Sequence, residues 1–302
     1  MKLSVVVNTK NAGNTLDKCL ESVAFADELI VVDMHSVDET KNIAKQHNAI
    51  FLLHDDLGYV EPARNYAISQ ASHELILVVD ADEVVSLGLK NKITEILSKK
   101  TSADVYLIPR KNMVFGQWLQ HTGWWPDYQA RLFKKGKVSW SETIHQPPLM
   151  QGKVIKLSPI TDHALIHHHY PTVHSYLERL NRYTNVQADH SLKGFSDQVS
   201  TDEIISSFFN EFFRRFFVLS GYKDGIAGIG LSFLQSTYEL AVQLKKWERQ
   251  ENIYSSKKTE ELAIKSLELS RANLNYWLAD WRVKHSSGLS RIYWQLRRKL
   301  KI

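Results

Sequence analysis

At 302 residues, with 43% hydrophobic and 24% charged residues, the chain is large enough for one big domain or a domain with an appendage, and too apolar for disorder. One cysteine, Cys19, excludes an internal disulfide framework and fits a reducing compartment. The net charge of +5 is uneven: residues 243–302 hold 14 Lys/Arg against 6 Asp/Glu, which is +8 and leaves −3 for the first 242.

The opening Met1–Val7 has one basic residue and an apolar run too short for a secretory signal, so it reads as a first strand over Leu3–Asn8. Helical spacing follows over Asn14–Val23. A second strand is predicted at Glu28–Asp33, a helix at Asp38–Gln46, a third strand at Ile50–Leu53, a helix at Pro62–Gln70 and a fourth strand at Leu75–Val79. Strands alternating with helices predict an α/β fold with a doubly wound, mostly parallel sheet. Ligands bind outside the carboxyl ends of such strands. Short strands are expected at Val105–Pro109, Ala130–Phe133 and Ala164–His168, among loops rich in tryptophan. From Val173 the chain reads helical. Six phenylalanines between Phe208 and Phe217 make an aromatic stripe, Gly225, Gly228 and Gly230 loosen the pattern, and a long helix is expected from Leu231 to Trp247. One or two basic amphipathic helices end the sequence. The expected division is an α/β domain over residues 1–185 and a helical, basic region over 186–302.

The run Leu75–Glu83 ends in Asp80 and Asp82, spaced i, i+2. Alternate residues of an extended chain point the same way, so both carboxylates can converge beyond the strand's end. Hard oxygen ligands there suit Mg²⁺ or Mn²⁺ with a phosphate-bearing ligand. Asp33, closing the second strand, can accept hydrogen bonds from a base or ribose, while Ser36 or Asp38 can cap the next helix. Arg64, opening a helix behind Pro62, can hold a diphosphate in a bidentate fork or pair with Asp80 or Asp82.

In that order, Ser4–Val7, Val32-Asp33 with Ser36 and Asp38, Ala63-Arg64-Asn65 and Val79–Glu83 resemble the successive signatures of family 2 glycosyltransferases. Gly123–Phe133 and Trp140 with Ile144-His145 resemble its lipopolysaccharide inner-core glucosyltransferase branch. The resemblance covers residues 1–185 and, more loosely, the helices to Trp247. It implies a GT-A fold, a UDP- or GDP-sugar donor, inversion at the anomeric carbon, a divalent metal and a glycan or glycolipid acceptor of lipopolysaccharide-core type. It places Thr9 and Asp33 at the base, Asp80 near ribose or metal, Asp82 on the metal, and Arg64 and Arg131 near the diphosphate.

An inverting transfer needs a general base. Related enzymes often carry His-Glu where this chain has His145-Gln146, so Asp127 and Glu142 are the candidates. Aromatic neighbours are expected to raise the pKa of Asp127 by desolvation. Of the histidines at 163 and 167–169, His167 is chosen as a further metal ligand by its His-X-X-Tyr spacing. On a strand it shares a face with His169. A structural zinc site lacks cysteines nearby. A sugar nucleotidyltransferase and a non-catalytic sugar-binding module are the alternatives. The first lacks its glycine-rich loop, since residues 8–13 hold one glycine. The Phe208–Phe217 stripe and basic tail suit an anionic membrane surface, or else a buried helix interface and a solvated face. No nucleic-acid partner is expected. With no stretch of about 18 uncharged apolar residues, the expected location is cytoplasmic, with peripheral contact to the cytoplasmic face of an inner membrane.

Overall fold

The structure, a computed structural model, describes residues 1–56, 60–99, 103–141, 147–192, 199–250 and 257–302. It divides into two compact units, residues 1–113 with 124–169, and residues 114–123 with 170–302. Along the chain to Tyr170 the elements are β1 (Leu3–Thr9), α1 (Leu16–Ser22), β2 (Glu28–Asp33), α2 (Thr40–Gln46), β3 (Ile50–Leu53), α3 (Glu61–Gln70), β4 (Leu75–Asp80), β5 (Glu83–Val85), α4 (Leu87–Ser98), β6 (Val105–Val114), β7 (Gln117–Trp118), β8 (Asp127–Lys134), β9 (Val138–Ser139), β10 (Leu149–Met150), β11 (Val154–Lys156) and β12 (Leu165–Tyr170).

The main sheet runs β3-β2-β1-β4-β8-β6-β12-β5. β1 pairs in parallel with β2 and with β4, and β2 with β3, which is the expected doubly wound half. Beyond β4 the pairs β4 with β8, β8 with β6 and β12 with β5 are antiparallel, while β11 joins β6 in parallel. β1 is the point where the strand order reverses, so its carboxyl end marks the ligand crevice.

The Val-rich runs of β1 and β4 are buried on both faces, as a sheet covered by helices requires. Leu3, Val5 and Val7 meet Leu16 and Leu20 of α1 and Leu89 and Ile93 of α4. Val6, Ile76 and Val78 meet Ala67 and Ile68 of α3 with Phe133 and Trp140. The register between β6 and β8 is broken at one place: Tyr106 faces Leu132 but Leu107 faces Ala130, so Arg131 is an extra residue in β8. This bulge puts Leu132 in the α1/α4 core while Ala130 and Phe133 belong to the α3 core.

In the second unit, α5 (Val173–Leu192) is followed by α6 (Thr201–Phe213), a π-helical turn at Arg214–Val218, α7 (Gly225–Arg249), α8 (Lys257–His285) and α9 (Gly288–Leu300). Ser200 and Glu203 form a reciprocal capping box on α6. The phenylalanine stripe takes its bland reading. Phe213 is buried, Phe212 lies 4.7 Å from Phe233 of α7, and Phe217 stacks on Trp277 of α8 at 5.8 Å, ring centre to ring centre.

The long helix starts at Gly225 rather than Leu231, and runs through Gly228 and Gly230. Gly228 is a packing site, not a break: a Cβ there would collide with the backbone oxygen of Gly221, whereas one on Gly230 would meet open space. Gly228→Ala should therefore cost about 1–3 kcal/mol, the range for overpacking. Gly230→Ala should be neutral or stabilising by up to about 1 kcal/mol through helix propensity. Paired urea melts of the two variants check this, and equal midpoints would refute it.

Candidate active site

The carboxyl ends of β1, β2 and β4 bring Thr9, Asp33 and Asp80 together, through the registers Thr9↔Asp33 and Asn8↔Asp80. Asp33 is 2% exposed and works inside its own turn. It accepts the Thr9 hydroxyl at 2.9 Å, the Ser36 backbone N–H at 2.8 Å and the Ser36 hydroxyl. The loops after β1 and β2 are laced together: Asn11 N–H donates to Ser36 Oγ at 2.7 Å, and Gly13 N–H to Asp38 Oδ2 at 2.8 Å. Asp38 also accepts Thr40 N–H, so it ties one loop to the start of α2 while serving the next.

From Asp80 a chain of alternating charge crosses the sheet. Arg64 Nη2 lies 2.6 Å from Asp80 Oδ1, and Arg131 pairs with the other Asp80 oxygen. Arg131 also reaches Glu83 Oε1 at 2.8 Å, and Glu83 accepts Arg110 Nη1 at 3.3 Å and the Asp80 backbone N–H at 3.0 Å. Arg110 then bonds Asp127 Oδ2 through Nε at 2.8 Å and Nη2 at 2.6 Å. Asn112 Nδ2 adds a bond to that oxygen at 3.0 Å, and Gln129 Nε2 donates to Oδ1 at 2.7 Å. Three guanidinium groups thus alternate with three carboxylates, with no net charge. Pairing of this kind is what makes burial of so many ions tolerable.

The pKa consequences follow. Burial pushes Asp80 up, but Arg131 and Arg64 outweigh it and hold its carboxyl far below the usual carboxylate range. Burial also pushes Asp127 up, and Arg110 with the Asn112 and Gln129 hydrogen bonds reverses that to a net lowering. The expected upward shift of Asp127 is therefore not found. The sequence could not tell that the β6 residue opposite it, through the register Arg110↔Asp127, is a cation. Cys19 lies beneath Asp80, its Sγ 3.5 Å from the Asp80 carbonyl, and burial with the nearby Glu83, Asp82 and Asp80 carboxylates raises its pKa.

β12 delivers the histidines beside β5, with His167 opposite Glu83. Asn112 donates to Asp127, which turns its oxygen toward His167 Nδ1, 2.6 Å away. That nitrogen therefore donates, and Nε2 faces Asp82 Oδ2 at 3.5 Å and His169 Nδ1 at 3.0 Å. Two cis ligands at about 2.1 Å from a cation would stand about 3 Å apart. Asp82 and His167 thus fit two positions of a divalent ion, and a carboxylate with an imidazole suits Mn²⁺ better than Mg²⁺. Asp80 is already committed to two arginines. No set of three protein donors able to hold a metal occurs among the described residues, so water and phosphate oxygens would complete the shell.

The structure brings Thr9, Asp33, Arg64, Asp80, Asp82, Asp127, Arg131 and His167 to one unit and one edge of its sheet. Glu142, together with His145 and Gln146, lies outside the described residues. Sequence reasoning missed Glu83, Arg110, Asn112 and Gln129, which hold the others in place. Gln129 could have been found, since it shares alternate spacing with Asp127. It also missed Asn8, whose buried amide, like Arg64 Nε and Arg131 Nε, has no hydrogen-bond partner among the described residues. Buried polar groups left unpaired by the protein are places where a ligand or water bonds. The Asn65 side chain clamps the Trp140 backbone in both directions, at 2.8 and 2.9 Å, which accounts for the third motif.

The family model described as Glycosyl transferase family 2 matches residues 4–155. An uncharacterized glycosyltransferase of Rickettsia conorii is 28% identical over 255 residues, covering 78% of this chain and 89% of that protein. The lipopolysaccharide core biosynthesis glycosyltransferase LpsC of Rhizobium meliloti is 22% identical over 266 residues, covering 82% and 93%. The crystal structure of S. aureus TarS 1-349 in complex with UDP-GlcNAc aligns over 100% of this chain and 89% of that one, with 15% identity and a TM-score of 0.42.

Two outcomes test the charge chain. Glu83→Gln removes a fully buried carboxylate from between Arg131 and Arg110, and should cost about 3 kcal/mol in chemical denaturation, as breaking a buried pair does. Because the folded pKa values of Asp80 and Asp127 are lowered, their contribution to stability is complete above the unfolded value of about 4 and is lost as pH falls below it. Unfolding free energy should be insensitive to these groups between neutral pH and about 5 and should drop below about 4. Asp80→Asn should flatten that acid limb; an unchanged limb would show that other carboxylates set it.

Proposed function

The chain belongs to glycosyl transferase family 2 and is a glycosyltransferase, and we propose that it moves a sugar, with inversion, from a nucleoside-diphosphate donor to a glycan or lipid-linked acceptor of lipopolysaccharide-core type. The observation that carries the donor reading is the placement of Asp82 Oδ2 and His167 Nε2, 3.5 Å apart, beside the strand-order reversal at β1. The similarity to LpsC along most of both chains supports the acceptor class.

Thr9, Asp33 and the unpaired Asn8 amide line the place for the nucleoside. Asp33 spends three acceptor positions on Thr9 and Ser36, and a carboxylate has about four, so one remains for a base or ribose donor. Asp82 and His167 would hold a divalent cation, which supplies positive charge to the departing diphosphate when bound. Arg64 and Arg131 set the field around Asp80 and bring two fixed cations to the same edge.

Asp127 is the base in this reading. Its Oδ2 takes both Arg110 bonds and Asn112, whereas Oδ1 takes only Gln129, so Oδ1 is the atom that can receive the acceptor's hydroxyl proton. The lowered pKa keeps Asp127 ionised at neutral pH, as a base must be, and makes it a weaker base than a free carboxylate.

Asp82→Asn should abolish the Mn²⁺-dependent part of the thermal stabilisation by UDP-sugars. At 100 times its dissociation constant a donor stabilises by about 2.7 kcal/mol. If stabilisation is equal with EDTA and with Mn²⁺, the metal reading fails. Asp127→Asn should lower turnover about 10²–10⁴-fold while leaving donor binding intact. If Glu142→Gln shows that signature instead, the base is Glu142.

A further inference from the structure

α9 is built inside out. Leu289, Ile292, Tyr293, Leu296 and Leu300 follow the spacing i, i+3, i+4, i+7, i+11, so they share one face. That face is turned to solvent: Leu289 is 85% exposed, Leu296 58% and Leu300 63%. The opposite face is the one that packs. Arg298 pairs with Asp280 of α8 at 2.7 Å, and the Arg282 guanidinium lies 5.1 Å from the Trp294 ring centre. A helix on a water-soluble surface normally does the reverse, burying its apolar stripe and showing its charges.

The charges complete the pattern. Gly288–Leu300 contains Arg291, Arg297, Arg298 and Lys299 and no acidic residue. At about 100° per residue, Lys299 falls on one border of the apolar arc and Arg297 on the other. Cations flanking an apolar stripe match a surface that is apolar below and negative at its edge, which is the headgroup region of an anionic bilayer. Among the described residues no helix is long and apolar enough to cross a membrane, so the helix would lie in the interface plane.

We propose that α9 is an interfacial anchor that docks the protein on anionic lipid through the Leu289–Leu300 stripe. The anchor is independent of the donor and metal reading, and either can fail alone. It also moves the apolar contribution away from the Phe208–Phe217 stripe, in which Phe212 and Phe217 already pack on α7 and α8.

The test is flotation of the full chain with phosphatidylcholine vesicles, with and without phosphatidylglycerol, at low and high salt. The unaltered chain should float with the phosphatidylglycerol vesicles at low salt and lose most of that binding at high salt. Leu296→Asp should weaken partitioning by about tenfold or more at either salt, because it breaks the apolar stripe. Lys299→Glu should weaken low-salt binding by roughly fivefold and reduce the salt dependence. All these side chains are exposed, so melting temperatures should not move. Absence of flotation by the unaltered chain at low salt, or flotation indifferent to Leu296→Asp, would overturn the proposal. So would light scattering that shows a dimer which Leu296→Asp converts to monomer, since a second copy would then cover the stripe.

Discussion

The site rests on keeping Asp80 ionised where burial opposes it. Arg64 and Arg131 do this from two sides, and the cost of burying Arg131 is offset in turn by Glu83. Each ion is tolerable only because of the next, so the chain has no natural stopping point until it reaches Asp127 and the neutral Asn112 and Gln129 amides. This ties the Asp80 end of the edge to the Asp127 end through four strands. Asn112 extends the coupling to His167, fixing which imidazole nitrogen is protonated and so which one can meet a cation. The ligand set and the candidate base are thereby oriented by one connected network rather than separately.

The parallel half of the fold was legible because its signals are local. Val-rich runs ending in polar turns gave β1, β2, β3 and β4 to within a residue or two of their bounds, and the crevice followed from the strand-to-helix alternation. The antiparallel half was legible only in fragments. β5 is three residues long and makes sense only beside β12, and β8 extends upstream to Asp127 because β6 pairs with it there. α4, a regular helix capped by Ser86, lies where the sequence reading predicts no element.

Among the site residues, those carried by strand ends were visible and those that support them were not. Asp80 and Asp82 announce themselves by spacing. Glu83 looks like a third acid in a turn, and nothing local says that it is fully buried under two arginines. The direction of the Asp127 pKa shift failed for the same reason, since the aromatic neighbours were in the sequence window and Arg110 was not. Gly228 shows the converse: a residue type read as a local breaker was serving a contact with Gly221.

The bulge in β8 has a consequence for how such a site can vary. Arg131 is the residue by which β8 exceeds its partner β6, so it owes nothing to the ladder and everything to Asp80 and Glu83. Removing it by deletion would leave a more regular sheet, with Leu132 brought into register behind Ala130, and would leave Asp80 paired with Arg64 alone and Glu83 with Arg110 alone. The sheet's most regular form and its working form are different sequences. A one-residue deletion in this strand would thus regularise the ladder and, in the same step, remove the guanidinium that Asp80 and Glu83 share.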